Sequence, residues 1–171
     1  LSTGNLSIYR IEKEKHVHEV KRGEGARLVA GRWTTPGRPA IYCARSLALA
    51  TLEILVHLST PEERLEPRSW FEITLPEGAV ENIDHTKLPG NWYSPIPVAE
   101  TQAIGDAWLK AGRTLALRVP ASVLPISGSR EYNYILNPVH PDFGRLLTWS
   151  HPLNLVLDVR LTGSTAPKAK I

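Results

Sequence analysis

The chain has 171 residues, 42% of them hydrophobic and 22% charged, which is one globular domain's worth of polypeptide and excludes wholesale disorder. Twenty Lys and Arg against 17 Asp and Glu leave a net charge of +3. That surplus is too small, and too interleaved with Glu12, Glu14, Glu19 and Glu24 across residues 10–32, for a nucleic-acid-binding stripe; it suits a pocket for an anionic small molecule equally well.

Leu6–Ile11 predicts a first strand. Residues 12–30 read as irregular, with a short strand or helical turn before a Gly-Glu-Gly turn at 23–25. Ala40–Ala44 follows the Pro36-Gly37 turn as a short apolar strand. Ser46 has the chemistry of a helix N-cap, and the run Leu47–Leu58 predicts the best helix of the chain. It is apolar on nearly every face, so a central, buried position is expected, with Pro61 as its stop. Trp70–Leu75 alternates as a strand does. A further strand is expected within Ala79–Asp84, then a proline-rich loop and a second helix over Val98–Ala111. Strands follow over Thr114–Val119, Tyr132–Leu136, Leu146–Trp149 and Leu155–Leu161. Short strands with two good helices, not alternating as βαβ units, predict an α+β fold of compact mixed sheets with few helices. Residues 1–161 read as a single domain and 162–171 as a flexible tail.

No run approaches the roughly 18 apolar residues of a membrane-spanning helix. The start, LSTGNLSIYRIEKEK, lacks the pattern of a signal peptide. A single cysteine, Cys43, excludes an intrachain disulfide and a Cys-rich zinc site. These features point to the cytoplasm. Neither a GxGxxG nor a Walker loop is present.

Several positions carry candidate chemistry. Glu53 falls midway along the apolar helix, where a carboxylate is costly unless paired; it is either a working group or a structural ion-pair partner. His57 shares its face at i+4, but no third metal ligand is evident. Arg32, in Gly31-Arg32-Trp33, suits a bidentate phosphate clamp or simple stacking on Trp33. Tyr42, on the short strand, is either core or pocket wall. Asn133, Asn137, His140 and Asp142 lie in a Pro-punctuated run that reads as a fixed turn or as ligand contacts. Ser46 reads as a cap in preference to a nucleophile.

Taken in order, these segments resemble the RES domain, the toxin half of RES–Xre toxin–antitoxin pairs of bacteria. The matching pieces are Leu6–Ile11, Gly31-Arg32-Trp33, Ile41-Tyr42, Ser46–Glu53 with Val56–Leu58, Thr101–Leu109, Val119-Pro120, Asn133–Phe143 and Asp158–Leu161. The resemblance implies a fold like that of ADP-ribosyltransferase toxins, and an enzyme acting on NAD as substrate without a metal. It implies cleavage of the nicotinamide–ribose bond, as a glycohydrolase or, with inorganic phosphate, a phosphorylase. An ADP-ribosyltransferase modifying one cellular protein is the alternative, and a non-catalytic nucleotide- or nucleic-acid-binding module the second. Residue by residue, Arg32 would hold the NAD phosphates or ribose, Tyr42 would pack on the nicotinamide and Glu53 would be the catalytic carboxylate. Ser46, Ser122 and Asn133 would contact NAD. The family's serine falls on Ser122 by a one-place shift, with Ser46, Ser127 and Ser129 as the other choices. The implied partner is a cognate Xre-like helix-turn-helix antitoxin, with no membrane and no direct nucleic acid for the toxin itself.

Overall fold

The computed structural model describes residues 4–125 and 130–162. The expected tail beyond Thr162, and Ser127 and Ser129, lie outside the described residues. The order of elements is β1 (Asn5–Lys13), a 3-10 segment (Glu14–Arg22), α1 (Glu24–Leu28), β2 (Ile41–Ala44), α2 (Leu47–Leu55), α3 (Pro61–Leu65) and β3 (Arg68–Pro76). There follow β4 (Val80–Asn82), α4 (Ala99–Ala111), β5 (Ala116–Pro120), β6 (Tyr132–Leu136), α5 (Phe143–Leu146), β7 (Thr148–Trp149) and β8 (Leu153–Asn154). The α+β class expected from the strand-rich, non-alternating order is the one observed.

Among the described residues the strands form one sheet in the order β4-β5-β6-β2-β1-β3-β7, with β8 also pairing with β3. Only β4 and β5 run parallel. The ladder between β1 and β3 is continuous from Asn5↔Pro76 to Lys13↔Arg68. Between β1 and β2 it shrinks to one pair, Tyr9↔Ala44. The sheet therefore parts into two halves at this seam. Arg10 bridges it, donating from Nη1 to the Tyr42 carbonyl oxygen at 3.0 Å, so a backbone acceptor left by the broken ladder is still satisfied.

Strand alternation sorts the side chains into two layers. Ile41, Cys43, Ala116, Tyr134 and Leu136 join Ile8, Phe71, Ile73 and Leu75 in one core on one face. Leu117, Val119 and Ile135 point to the other face, where they pack with Trp33, Trp108 and Leu109. Ala44 and Ile11 face Leu49 and Ala50 of α2. The register Tyr42↔Ile135 and Ala44↔Asn133 puts Tyr42 and Asn133 on that same second face.

Four expectations are corrected. The helix at 47–58 ends at Leu55 and is not central: it buries Leu49 and Ala50, while Leu52 is 42% and Val56 62% exposed. Hydrophobicity on every face did not mean burial on every face, because the core takes only the Leu49–Ala50 side of α2. Pro61 does not stop that helix; it starts α3, where Thr60 and Glu63 form a capping box and the missing proline N–H is no loss. The segment 155–161 does not finish the sheet. Strand pairing stops before it, at Leu153–Asn154, and Asp158 accepts from the Arg160 backbone N–H at 2.9 Å, a local bond that competes with a ladder. Similarly, Leu146 ends α5, and only Thr148–Trp149 pairs with β3.

Candidate active site

Gly31–Thr34 is a tight loop, closed by the Gly31 N–H donating to the Thr34 carbonyl oxygen at 2.9 Å. Helix α4 grips it from outside. Thr101 Oγ1 donates to the Arg32 carbonyl oxygen at 2.7 Å and Gln102 Nε2 to the Gly31 carbonyl oxygen at 3.0 Å. Asp106 accepts from the Thr35 backbone N–H at 3.1 Å and from Thr35 Oγ1 at 2.6 Å. Trp33, 2% exposed, anchors the loop in the core.

From inside, the loop rests on Tyr42. The Tyr42 hydroxyl shares a 2.9 Å hydrogen bond with Thr34 Oγ1 and accepts from the Trp33 N–H at 3.3 Å. A Cβ on Gly31 would collide with that hydroxyl, so glycine is required by the close approach. Burial pushes the Tyr42 phenol above its ordinary range, partly offset by its bond to Thr34; it is a neutral shelf at working pH.

Arg32 projects from this loop, half-buried, and donates from Nη1 to the Trp92 carbonyl oxygen at 2.7 Å. Desolvation lowers its pKa, and the Glu53 carboxylate acts in the opposite direction; starting from so high a value, it stays a cation. Glu53 reaches in from α2, and its Oε1 accepts from Asn133 Nδ2 at 2.5 Å. Arg32, Tyr42, Glu53, Asn133 and Ser122 all line one cavity of about 1010 Å³ at the seam of the sheet. That volume is at the upper end of small-molecule sites, roughly 300–1,000 Å³.

The structure thus gathers five of the six expected site residues. Ser46 is the exception. Its hydroxyl accepts from the Leu49 N–H at 3.1 Å as the α2 cap, and it is not part of the cavity wall. Ser46→Ala is expected to lower stability by about 1 kcal/mol through the lost cap, read as a smaller free energy of unfolding in urea. His57 lines the cavity one turn beyond Glu53. Asn137, His140 and Asp142 instead build a turn. Asn137 Oδ1 accepts from the Val139 N–H at 3.2 Å, His140 Nδ1 from the Asp142 N–H at 3.1 Å, and Asp142 Oδ1 from Arg145 Nε at 2.9 Å. Among the described residues no group of three or more His, Cys, Asp or Glu is placed to hold a metal. No described helix is long and apolar enough to cross a membrane.

Sequence reasoning missed the groups that act through backbone. The Trp92 carbonyl carries no side-chain signature. Gly105 did leave a signal, since a glycine inside a helix marks a close approach: a Cβ there would run into the Trp33 carbonyl.

Known proteins resemble this chain in sequence and in fold. A family model described as the RES domain matches residues 7–158. A protein named Toxin Res from Photorhabdus laumondii is 36% identical over 156 residues, spanning 91% of this chain and 97% of that protein. A Sphingobium protein named Prs ADP-ribosylating toxin is 32% identical over 141 residues, 80% of this chain and 84% of its own length. Among solved structures, a chain of the M. tuberculosis MbcT–MbcA toxin–antitoxin complex superposes with a TM-score of 0.69 at 19% identity, covering 90% of this chain and 85% of that one. At that identity the likeness is one of fold.

Proposed function

The chain belongs to the RES domain family, and on that footing we propose that it is the toxin of a toxin–antitoxin pair and consumes NAD by cleaving the nicotinamide–ribose bond. The observation that carries this reading is the convergence of Glu53, Arg32 and Tyr42 on one cavity. In the proposed reaction the C–N glycosidic bond breaks and its electron pair leaves with nicotinamide. Positive charge develops on the ribose, as in glycoside hydrolysis. The Glu53 carboxylate stabilises that charge more in the transition state than in the ground state. Arg32 holds the pyrophosphate, and Tyr42, locked by Thr34, gives the nicotinamide a rigid apolar wall. Water or phosphate then adds to ribose C1 and releases a proton.

A second reading, transfer of ADP-ribose to a cellular protein, is favoured by the name of the Sphingobium relative. The superposed toxin–antitoxin complex supports a protein inhibitor as partner, and we assign that role to an Xre-like helix-turn-helix antitoxin. Incubation of antitoxin-free protein with NAD, with and without phosphate, tests the readings by mass spectrometry. Free nicotinamide with ADP-ribose indicates hydrolysis. ADP-ribose-1″-phosphate appearing only with phosphate indicates phosphorolysis. A mass increase on an added host protein indicates transfer. NAD left intact in all mixtures overturns the proposal.

Arg32→Lys is expected to raise the NAD dissociation constant by about 10–100-fold, because a point charge cannot reproduce a planar bidentate fork. Calorimetric titration with NAD checks this. An unchanged affinity would remove Arg32 from the phosphate site.

A further inference from the structure

Asn133 sits on the cavity face of β6, opposite Ala44 in β2 and Val119 in β5. Its two polar atoms have unequal fates. Nδ2 donates to Glu53 Oε1 at 2.5 Å, whereas Oδ1 is buried and has no hydrogen-bond partner. The carboxylate fixes which way the amide points, since the flipped amide would set two acceptors face to face. A buried acceptor without a donor destabilises a fold. The neighbours Tyr134, Ile135 and Leu136 are aromatic or apolar and buried, as suits a strand at this depth. Packing alone therefore gives no reason for an asparagine here; the one thing it supplies is a donor aimed at Glu53.

The residue type also fits what a carboxylate in this cavity needs. Arg32 and Tyr42 line the cavity, as do His57, two residues past the end of α2, and Arg10 at the seam. Arg32 attracts the Glu53 carboxylate. Were the carboxylate to close on that guanidinium, it would neutralise the one cation that reaches the cavity from the 31–34 loop. A neutral amide donor on the opposite strand restrains Glu53 and leaves its negative charge intact, which a Lys or Arg at 133 could not do.

We propose that Asn133 is a positioning residue that acts through Glu53, fixing the carboxylate's rotamer and keeping it off Arg32. The proposal rests on the reading of Glu53 as the catalytic carboxylate and reassigns Asn133 from substrate contact to orientation of that group. Its buried Oδ1 has no surface to offer a ligand.

The test begins on ligand-free protein with ¹³C-labelled glutamate carboxyls, the Glu53 signal being identified by its loss in Glu53→Gln. Asn133→Ala is expected to shift that signal, while the melting temperature stays level or rises as the orphaned acceptor disappears. Asn133→Asp replaces the donor with a second carboxylate facing Glu53, so the restraint becomes a repulsion and the Glu53 signal should move as well. With NAD, Asn133→Ala should lower kcat by about 10–100-fold and leave KM within about 3-fold, the split expected for an interaction that matters in the transition state. An unmoved Glu53 signal in Asn133→Ala overturns the proposal. So does a melting temperature lowered by several degrees with kcat unchanged. The carboxyl signal needs no NAD, so an inert parent would sink the functional reading while leaving this test decisive.

Discussion

Replacing Glu53 with Gln is expected to leave the fold in place and lower NAD turnover by at least about 100-fold, the scale on which removing one preorganised electrostatic group acts. Glutamine matches glutamate in length and volume, and its Oε1 can still accept from Asn133 Nδ2, whose bond to Glu53 is 2.5 Å. Packing on Leu49 and Ala50, the buried face of α2, is untouched. What disappears is the negative charge that the proposed reaction sets against the ribose, so the loss should fall on kcat and spare NAD affinity. The melting temperature is expected within about 2 °C of the parent, in line with a substitution that creates no cavity and buries no new polar group. Expression in a bacterial host gives a second readout, in which the variant should no longer arrest growth. A Gln variant that turns over NAD at the parent rate would make Glu53 structural and leave the cavity without its reacting group.

The parts of the site legible in the sequence are those carried by side-chain type and strand period. Tyr42 and Asn133 lie on short strands whose alternation fixes their face, and the register Ala44↔Asn133 then brings them together. Glu53 stood out because a carboxylate interrupts an apolar helix, and Ser46 because a cap residue precedes one. The strands around Trp70–Leu75 and Tyr132–Leu136 were readable from their alternation alone. Burial of α2 was not, because its exposed side, Leu52 and Val56, has the same residue types as its buried side. The stretch 155–161 looks like a strand by composition. Asp158 and Arg160 close a local turn there instead, with an ion pair of 2.8 Å. The grip of α4 on the 31–35 loop was invisible for a different reason. It depends on backbone carbonyls and on contacts between residues about 70 apart in sequence, which neither periodicity nor motif records.

That grip can be tested where its geometry is tightest. Gly105→Ala should be among the most damaging single-methyl changes in the protein. In an ordinary helix interior the swap stabilises by about 1 kcal/mol. Here the new Cβ would be driven into the Trp33 carbonyl, with the Trp33 Cβ also closer than a normal contact. Both obstacles lie at the backbone, so no side chain can swing aside. Either α4 shifts or the Gly31–Thr34 loop does, and Thr101, Gln102 and Asp106 tie the two together. Overpacking of this kind costs about 1–3 kcal/mol, which for a domain of this size lowers the melting temperature by about 2–12 °C. The second effect is on the site. Arg32 rides on the displaced loop, and a shift near 1 Å in a positioning group lowers rate by about 100-fold. NAD binding and turnover should therefore fall even at temperatures where the variant remains folded. Gly144→Ala is the control, because a Cβ there meets nothing within 4 Å; on the short helix α5 it should be neutral or stabilise by up to about 1 kcal/mol. If Gly105→Ala melts and turns over NAD as the parent does, α4 does not set the position of Arg32, and the loop must be held by Tyr42 and Thr34 alone.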